Sequence, residues 1–306
     1  MRFGISIPQS VADGAFDPAG LRDYLARAEQ LGFESAWTME QVIGSIPHLE
    51  PVATLTYAAA CTQRLRLGCA VFVSPLHNPL HLAKSLSTLD QLSRGRLDVG
   101  IATGGRTRMF AAFGVDPATF VARFTEGLRV MKALWTQPRV DIDGRFWQLD
   151  RVAMEPKPFQ KPYPPIWFGA GAPASLRRAV RLGDRFFGAG SSTTAQFAEH
   201  VRVVRAALEE HGRDPASFPI AKRVYVAVDD DPDRARNRMA DALDRYYGYR
   251  GRLGLAPVAV AGTPDGCVVG LRDVVAAGAG MILLNPLFDQ RGQMERLAAE
   301  VIPRLG

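Results

Sequence analysis

The sequence predicts an α/β chain closed into a (β/α)8, or TIM, barrel, and three observations predict it. Short apolar runs alternate with longer segments of helical period from one end of the 306 residues to the other, as βα units around a parallel sheet require. Eight such runs are present with helical segments between them, enough to close a barrel. The first run is followed by Pro8-Gln9-Ser10 and not by a GxGxxG phosphate turn, which argues against a doubly wound open sheet, the competing architecture.

The first run is Phe3 to Ile7. Pro18 sits in the first turn of a helix through Leu21, Leu25 and Ala28, which Gly32 ends in the usual C-terminal position. Ser35 to Thr38 is the second strand, and a loop through Pro47 leads to a helix around Val52 to Cys61. Leu65 to Val73 is an uninterrupted third run, suited to burial on both faces. Pro79 opens a helix through Leu82, Leu86, Leu89 and Leu92, and Ser93-Arg94-Gly95 turns into a fourth strand, Leu97 to Ala102. After Pro117 a long helix carries Phe120, Phe124, Leu128, Met131 and Leu134 on one face.

Strands five and six are Ile166 to Phe168 and Phe186 to Ala189, with a helix through Leu176, Ala179 and Val180 between them. A helix from about Ala195 to Glu210 precedes the seventh strand, Ile220 to Val228. Met281 to Leu284 is the eighth, and a helix from Met294 to Leu305 closes the chain. Pro138 to Pro165 breaks the alternation: Asp141 to Trp147 reads as a hairpin turning at Asp143-Gly144, followed by a proline-rich return. It is an insertion after the fourth helix within one domain of 306 residues, expected to lie over the barrel mouth.

Composition narrows the function. With 47% hydrophobic and 22% charged residues the chain is ordinary globular protein, able to bury a large core. The net charge of +6 favours anionic ligands, but the arginines are scattered among acids, and no basic stripe with interleaved aromatics suggests nucleic acid. Cys61, Cys69 and Cys267 are too few and too far apart for a disulfide framework or a CxxC metal site, which fits a reducing cytoplasm. Pro8 closes the opening apolar run too early for a signal peptide, and no run approaches the roughly 20 apolar residues that span a bilayer. His77 and His81 have i, i+4 spacing, but Pro79 lies between them and no third ligand is near, so no metal is expected.

In a barrel, loops at the C-terminal ends of the strands build the site. Here they are Glu40-Gln41, Ala70 to Pro75, Thr103-Gly104-Gly105-Arg106, Gly169-Ala170-Gly171, Gly188 to Thr194 with Gly190 and Ser191, and Asn285-Pro286. Their glycines permit close approach of backbone to a ligand. Gly169 to Ser175 also offers amides at a helix start, where anions bind. Of Ser191, Ser192, Thr193 and Thr194, capping accounts for one, and the others suit phosphate or substrate. Trp37, Phe72, Phe110, Phe113 and Trp147 either line an apolar pocket or belong to the core.

Several stretches resemble the luciferase-like monooxygenases and their F420-dependent relatives. They include Ala28-Glu29-Gln30-Leu31-Gly32-Phe33-Glu34-Ser35-Ala36-Trp37, Leu67-Gly68-Cys69-Ala70-Val71 with Asn78-Pro79 and Ala83-Lys84, and Leu89-Asp90-Gln91-Leu92-Ser93-Arg94-Gly95-Arg96. Arg123-Phe124-Thr125-Glu126-Gly127, Gly144-Arg145-Phe146-Trp147, Pro164-Pro165-Ile166-Trp167-Phe168-Gly169 and Ala277-Gly278-Ala279 continue the match in order. The resemblance implies an oxidoreductase using FMN or coenzyme F420 and acting on a small-molecule substrate, in the first case a monooxygenase and in the second a hydride-transfer enzyme. A non-catalytic flavin-binding protein on the same barrel is the alternative.

By the same resemblance, Ala70-Val71 is a non-proline cis peptide at a bulge supporting the cofactor ring, and Thr103, Gly104, Gly169, Ala170, Gly171, Gly190 and Ser191 approach the cofactor. Arg123 falls where the family keeps a basic residue near the cofactor phosphate, a salt bridge to Glu126 being the plain alternative. Glu40-Gln41 stands where F420-using relatives often have an acid followed by histidine. Gln41 cannot titrate, so Glu40 is left as the candidate general acid or base. The Thr103 loop also lacks the glutamate of the sugar-phosphate dehydrogenases, which argues against that activity. A homodimer is expected on the resemblance alone.

Overall fold

The computed structural model describes residues 1–11, 15–105, 108–248 and 253–306. Its strands are β1 (Arg2–Ser6), β2 (Ser35–Thr38), β3 (Arg66–Val73), β4 (Leu97–Ala102), β5 (Val140–Asp143), β6 (Gln148–Val152), β7 (Ile166–Ala170), β8 (Arg185–Gly188), β9 (Ile220–Val228), β10 (Val260–Gly262) and β11 (Met281–Asn285). The helices are α1 (Pro18–Gln30), α2 (Pro51–Cys61), α3 (Pro79–Leu92), α4 (Phe120–Thr136), α5 (Pro173–Leu182), α6 (Thr194–Glu210), α7 (Pro232–Tyr247), α8 (Pro264–Ala276) and α9 (Gln290–Arg296). Parallel pairing runs β1-β2-β3-β4-β7-β8-β9-β11 and back to β1, closing the TIM barrel.

Local chemistry starts the helices. A side-chain acceptor followed by proline opens α1 at Asp17-Pro18, α2 at Glu50-Pro51, α3 at Asn78-Pro79, α7 at Asp231-Pro232 and α8 at Thr263-Pro264. Thr193 and Gln196 form a capping box on α6. The core lies between barrel and helices, where strand residues such as Val224, Val226 and Val228 point outward. Alternate residues point in. Trp37, Trp167 and Phe187 meet edge to face inside the barrel at 5.0 to 5.9 Å. Gly68 makes this possible, since a Cβ there would stand 2.3 Å from the Trp37 ring.

Three expectations change. Pro138 to Pro165 does contain a hairpin, β5–β6, but it packs on the outer wall and not over the mouth. The Glu126 carboxylate of α4 accepts from the N–H groups of Arg145, Phe146 and Trp147 at 2.8 to 3.1 Å. The return follows α3, whose Gln91 donates to the Lys157 carbonyl, and ends with Gln160 on Asp90 and the Leu97 carbonyl at the N-terminal end of β4. Since α4 ends and β7 begins at that same end, the outer wall is the direct route. Between β9 and β11 the chain adds α7, β10 and α8, with β10 paired to the last three residues of β9. At the C-terminus, α9 passes into a π turn at Leu297–Val301 and a 3-10 turn at Ile302–Arg304, where one helix was expected. Among the described residues no helix is long and apolar enough to cross a membrane.

Candidate functional site

A cavity of about 800 Å³ opens at the C-terminal ends of β3, β4, β7, β8 and β9. Its floor is mostly backbone. Ala70 and Val71 of β3, Thr103 and Gly104 after β4, Gly169, Ala170 and Gly171 at the end of β7, and Ser191 after β8 all line it. The Ala70-Val71 peptide is cis, and the pairing of β3 with β4 shifts register between Cys69 and Phe72. Gly100 permits that bulge, because a Cβ there would lie 1.9 Å from the Cys69 carbonyl oxygen. Gly104 has φ of +68°, a conformation glycine adopts without penalty. A groove of about 1120 Å³ runs along the outer wall between α4 and α5 and shares Val121 and Arg178 with this cavity.

One side of the cavity suits an anion. Helix α5 is preceded by Ala172, which has no side chain able to cap it, and no acid occupies its first turn. Arg178, one turn on, lines the same cavity. Burial lowers its pKa from the usual arginine value, and Arg181 adds to that shift. His200 faces Gly171, and its Nδ1 is buried without a hydrogen-bond partner among the described residues. Burial, then the charge of Lys222, lowers the His200 pKa.

Neighbouring residues of β9 supply two more cations, pointing opposite ways. Lys222 points outward, and its Nζ donates to the carbonyls of Ala189 at 2.6 Å and Ser192 at 2.8 Å, holding the loop after β8. Burial, reinforced by Arg223, pushes this amine down to about 7. Arg223 points into the mouth and lines the cavity. It donates from Nη1 to the Ala70 carbonyl at 3.3 Å and to the Met39 sulfur, and from Nη2 to the Tyr247 hydroxyl at 3.4 Å. Its Nε is buried without a partner among the described residues. Tyr225 lies beneath it at 5.4 Å, hydroxyl bonded to that of Tyr247.

The description luciferase-like monooxygenase belongs to the family model that matches residues 1–280. The chain belongs to that family. It is 33% identical over 204 residues to a phthiodiolone/phenolphthiodiolone dimycocerosates ketoreductase of Mycobacterium sp. strain JLS, covering 65% of this chain and 53% of that protein. It is 30% identical over 230 residues to an F420-dependent glucose-6-phosphate dehydrogenase of Kineococcus radiotolerans, covering 72% and 67%. An FMNH(2)-dependent dimethylsulfone monooxygenase of Pseudomonas putida is 28% identical over 222 residues, covering 71% and 60%. The chain thus spans between about half and two thirds of the length of these relatives. The crystal structure of monooxygenase RslO1 from Streptomyces bottropensis superposes with a TM-score of 0.88 at 27% identity, covering 100% of both chains.

Not every residue singled out by this luciferase-like pattern reaches the cavity. Glu40 is engaged nearby: its carboxylate accepts from the Val73 N–H at 2.6 Å and pairs with His77 Nε2 at 2.7 Å. It therefore fixes the end of β3. Burial opposes charge on His77, but its bond to Glu40 outweighs this and raises the His77 pKa. Gln41 folds toward Gly44. Arg123 donates to the Pro75 carbonyl at 3.1 Å and lies 4.6 Å over the Trp147 ring, outside the cavity lining. Its expected alternative partner Glu126 is occupied by the hairpin. Gly190 stands behind Arg223, where a Cβ would come within 2.7 Å of Nε. Arg106 lies outside the described residues.

Sequence reasoning missed Arg178, His200, Lys222 and Arg223. Adjacent basic residues in an otherwise apolar strand were the one available signal, since each must find oxygen acceptors or a ligand when the strand is buried. Among the proposed aromatics, Trp37 and Phe72 are core, and Phe110 packs at 5.5 Å from Phe120. The rings that do line the cavity are Phe120 and Phe187.

Proposed function

We propose that this luciferase-like chain is an oxidoreductase that binds FMN or coenzyme F420 at the mouth of its barrel and acts on a small organic substrate. One observation carries the reading: a cavity floored by backbone at the strand ends, bordered on one side by an uncapped helix start with Arg178 beside it. The anionic tail of either cofactor suits the α5 amides, Arg178 and Ser191. A flat ring suits the floor of Ala70, Val71, Thr103, Gly104, Gly169, Ala170 and Gly171, with the Cε1–Nε2 edge of His200 beside Gly171. When bound, reduced FMN supplies oxygen activation, or F420 supplies hydride transfer.

The chain's own residues orient and shield. Lys222 holds the 189–192 loop against the cavity, and Phe187 and Phe120 exclude water from it. Glu40 acts through His77 and the Val73 amide as a positioning group for the end of β3. Relatives using each cofactor support both choices equally. We further take the enzyme to work as a homodimer in the cytoplasm; its three cysteines are unpaired thiols, as a reducing compartment requires. Adding FMN, reduced FMN and F420 separately to the purified protein and following fluorescence tests the reading. A dissociation constant of about 10 μM or tighter for at least one is expected, and binding of none would end it.

A further inference from the structure

We propose that Arg223 is an anion-binding residue for the substrate, and that the substrate is an organic molecule bearing a carboxylate. The inference rests on the proposed function and goes beyond it by naming the substrate's charged group. Arg223 reaches the cavity with neutral neighbours only: the Ala70 carbonyl, the Met39 sulfur, the Tyr247 hydroxyl and the Tyr225 ring. Among the described residues no carboxylate pairs with it, and its buried Nε donates to nothing. Glu40, the acid on the adjacent loop, is committed to His77 and the Val73 amide.

A guanidinium withdrawn from water without a counter-charge is unfavourable, and proteins keep one where a ligand supplies the anion. The tail of the cofactor has its own cation and helix start at α5, on another side of the cavity. Arg223 instead faces the middle of the mouth, between Met39 after β2, Ala70 of β3 and Tyr247 of α7. Beyond Tyr247, its neighbour Tyr246 lines a separate cavity of about 640 Å³ in which Asp241 lies between Arg238 and Arg245 of α7. Nε faces Gly190, so the guanidinium offers a carboxylate charge-assisted hydrogen bonds through its Nη groups, whose bonds to the Ala70 carbonyl and the Tyr247 hydroxyl are long at 3.3 and 3.4 Å.

The test uses benzoate and its neutral analogue benzamide, titrated calorimetrically into the cofactor-loaded and cofactor-free protein and into Arg223→Met and Arg223→Lys. We expect benzoate to bind about tenfold or more tightly than benzamide to the wild type, a preference abolished in Arg223→Met and partly kept in Arg223→Lys. FMN or F420 affinity should stay within about threefold in both variants. Equal binding of the two probes, no binding of benzoate, or an undiminished preference in Arg223→Met would overturn the proposal. So would a loss confined to cofactor affinity, which would assign the cation to the cofactor. Failure of the wild type to bind FMN or F420, measured without either probe, would count against the proposed function alone.

Discussion

Asp98 at one end of the barrel and Arg223 at the other treat buried charge in opposite ways. At the N-terminal end, Asp98 of β4 accepts from Arg66 at 2.7 Å, from the Trp167 indole at 3.0 Å and from Arg185 at 3.2 Å. Asp98 thus has two counter-charges, while Arg96 and Asp90 nearby bond to neutral groups, and Arg185 also stacks 5.0 Å over Trp167. At the mouth, Arg223 has no acid partner among the described residues, Lys222 is surrounded by neutral oxygens, and His200 keeps an unpartnered nitrogen. On the proposed function, the unpaired Arg223 holds its interactions for a ligand at a cost in stability, whereas Lys222 spends its own on the loop after β8.

Asp98→Ala should break the comparison hardest. It strands two arginines, and we expect a loss of about 3 kcal/mol in urea unfolding, whereas Arg223→Met should leave the midpoint unchanged or raise it. A comparable drop for both variants would erase the distinction between the ends. Next comes Gly100→Ala, whose methyl group meets the Cys69 carbonyl backbone. A loss of about 2 kcal/mol is expected, with weakened cofactor binding because the displaced segment carries Ala70 and Val71.

Lys222→Met sharpens the account of the mouth. It should weaken FMN or F420 binding about fivefold by releasing the 189–192 loop. The amine is pushed down to about 7 in the fold against 10.5 when exposed, so between those values the unfolded chain binds the extra proton. The wild type should therefore gain stability as pH rises from 7 toward 10, and the variant should lose that slope; parallel pH profiles would contradict it. The smallest effect is expected for His77→Asn. A raised histidine pKa contributes stability that is complete below about 6.5 and lost as pH climbs through the folded value. The difference in melting temperature between wild type and variant should thus be larger at pH 6 than at pH 9.

Much of this was legible in the residues. Proline after a capping side chain marks the helix starts at Pro18 and Pro79, and uninterrupted apolar runs mark β3 and β9, because those signals are local. The segment between β9 and β11 was not legible. Strand β10 is three residues long, and α7 presents so many charged residues that its apolar stripe of Ala235, Met239 and Leu243 is easily passed over. The glycine loops could be assigned to the mouth because strand order alone puts them there. The cations could not, since direction in a strand alternates, and only the register of β9 shows that Arg223 faces in and Lys222 out. Arg123 marks the limit of reasoning by position: it resembles a phosphate ligand in sequence, yet the hairpin claims its side chain through Trp147.

The most direct test compares cofactor affinity in Arg178→Ala and Arg123→Ala against the wild type, by fluorescence titration with FMN and F420. Arg178→Ala should weaken binding of the preferred cofactor about tenfold, and Arg123→Ala by no more than about twofold. Unchanged affinity in Arg178→Ala, or the larger loss in Arg123→Ala, would contradict the placement of the cofactor tail at the start of α5.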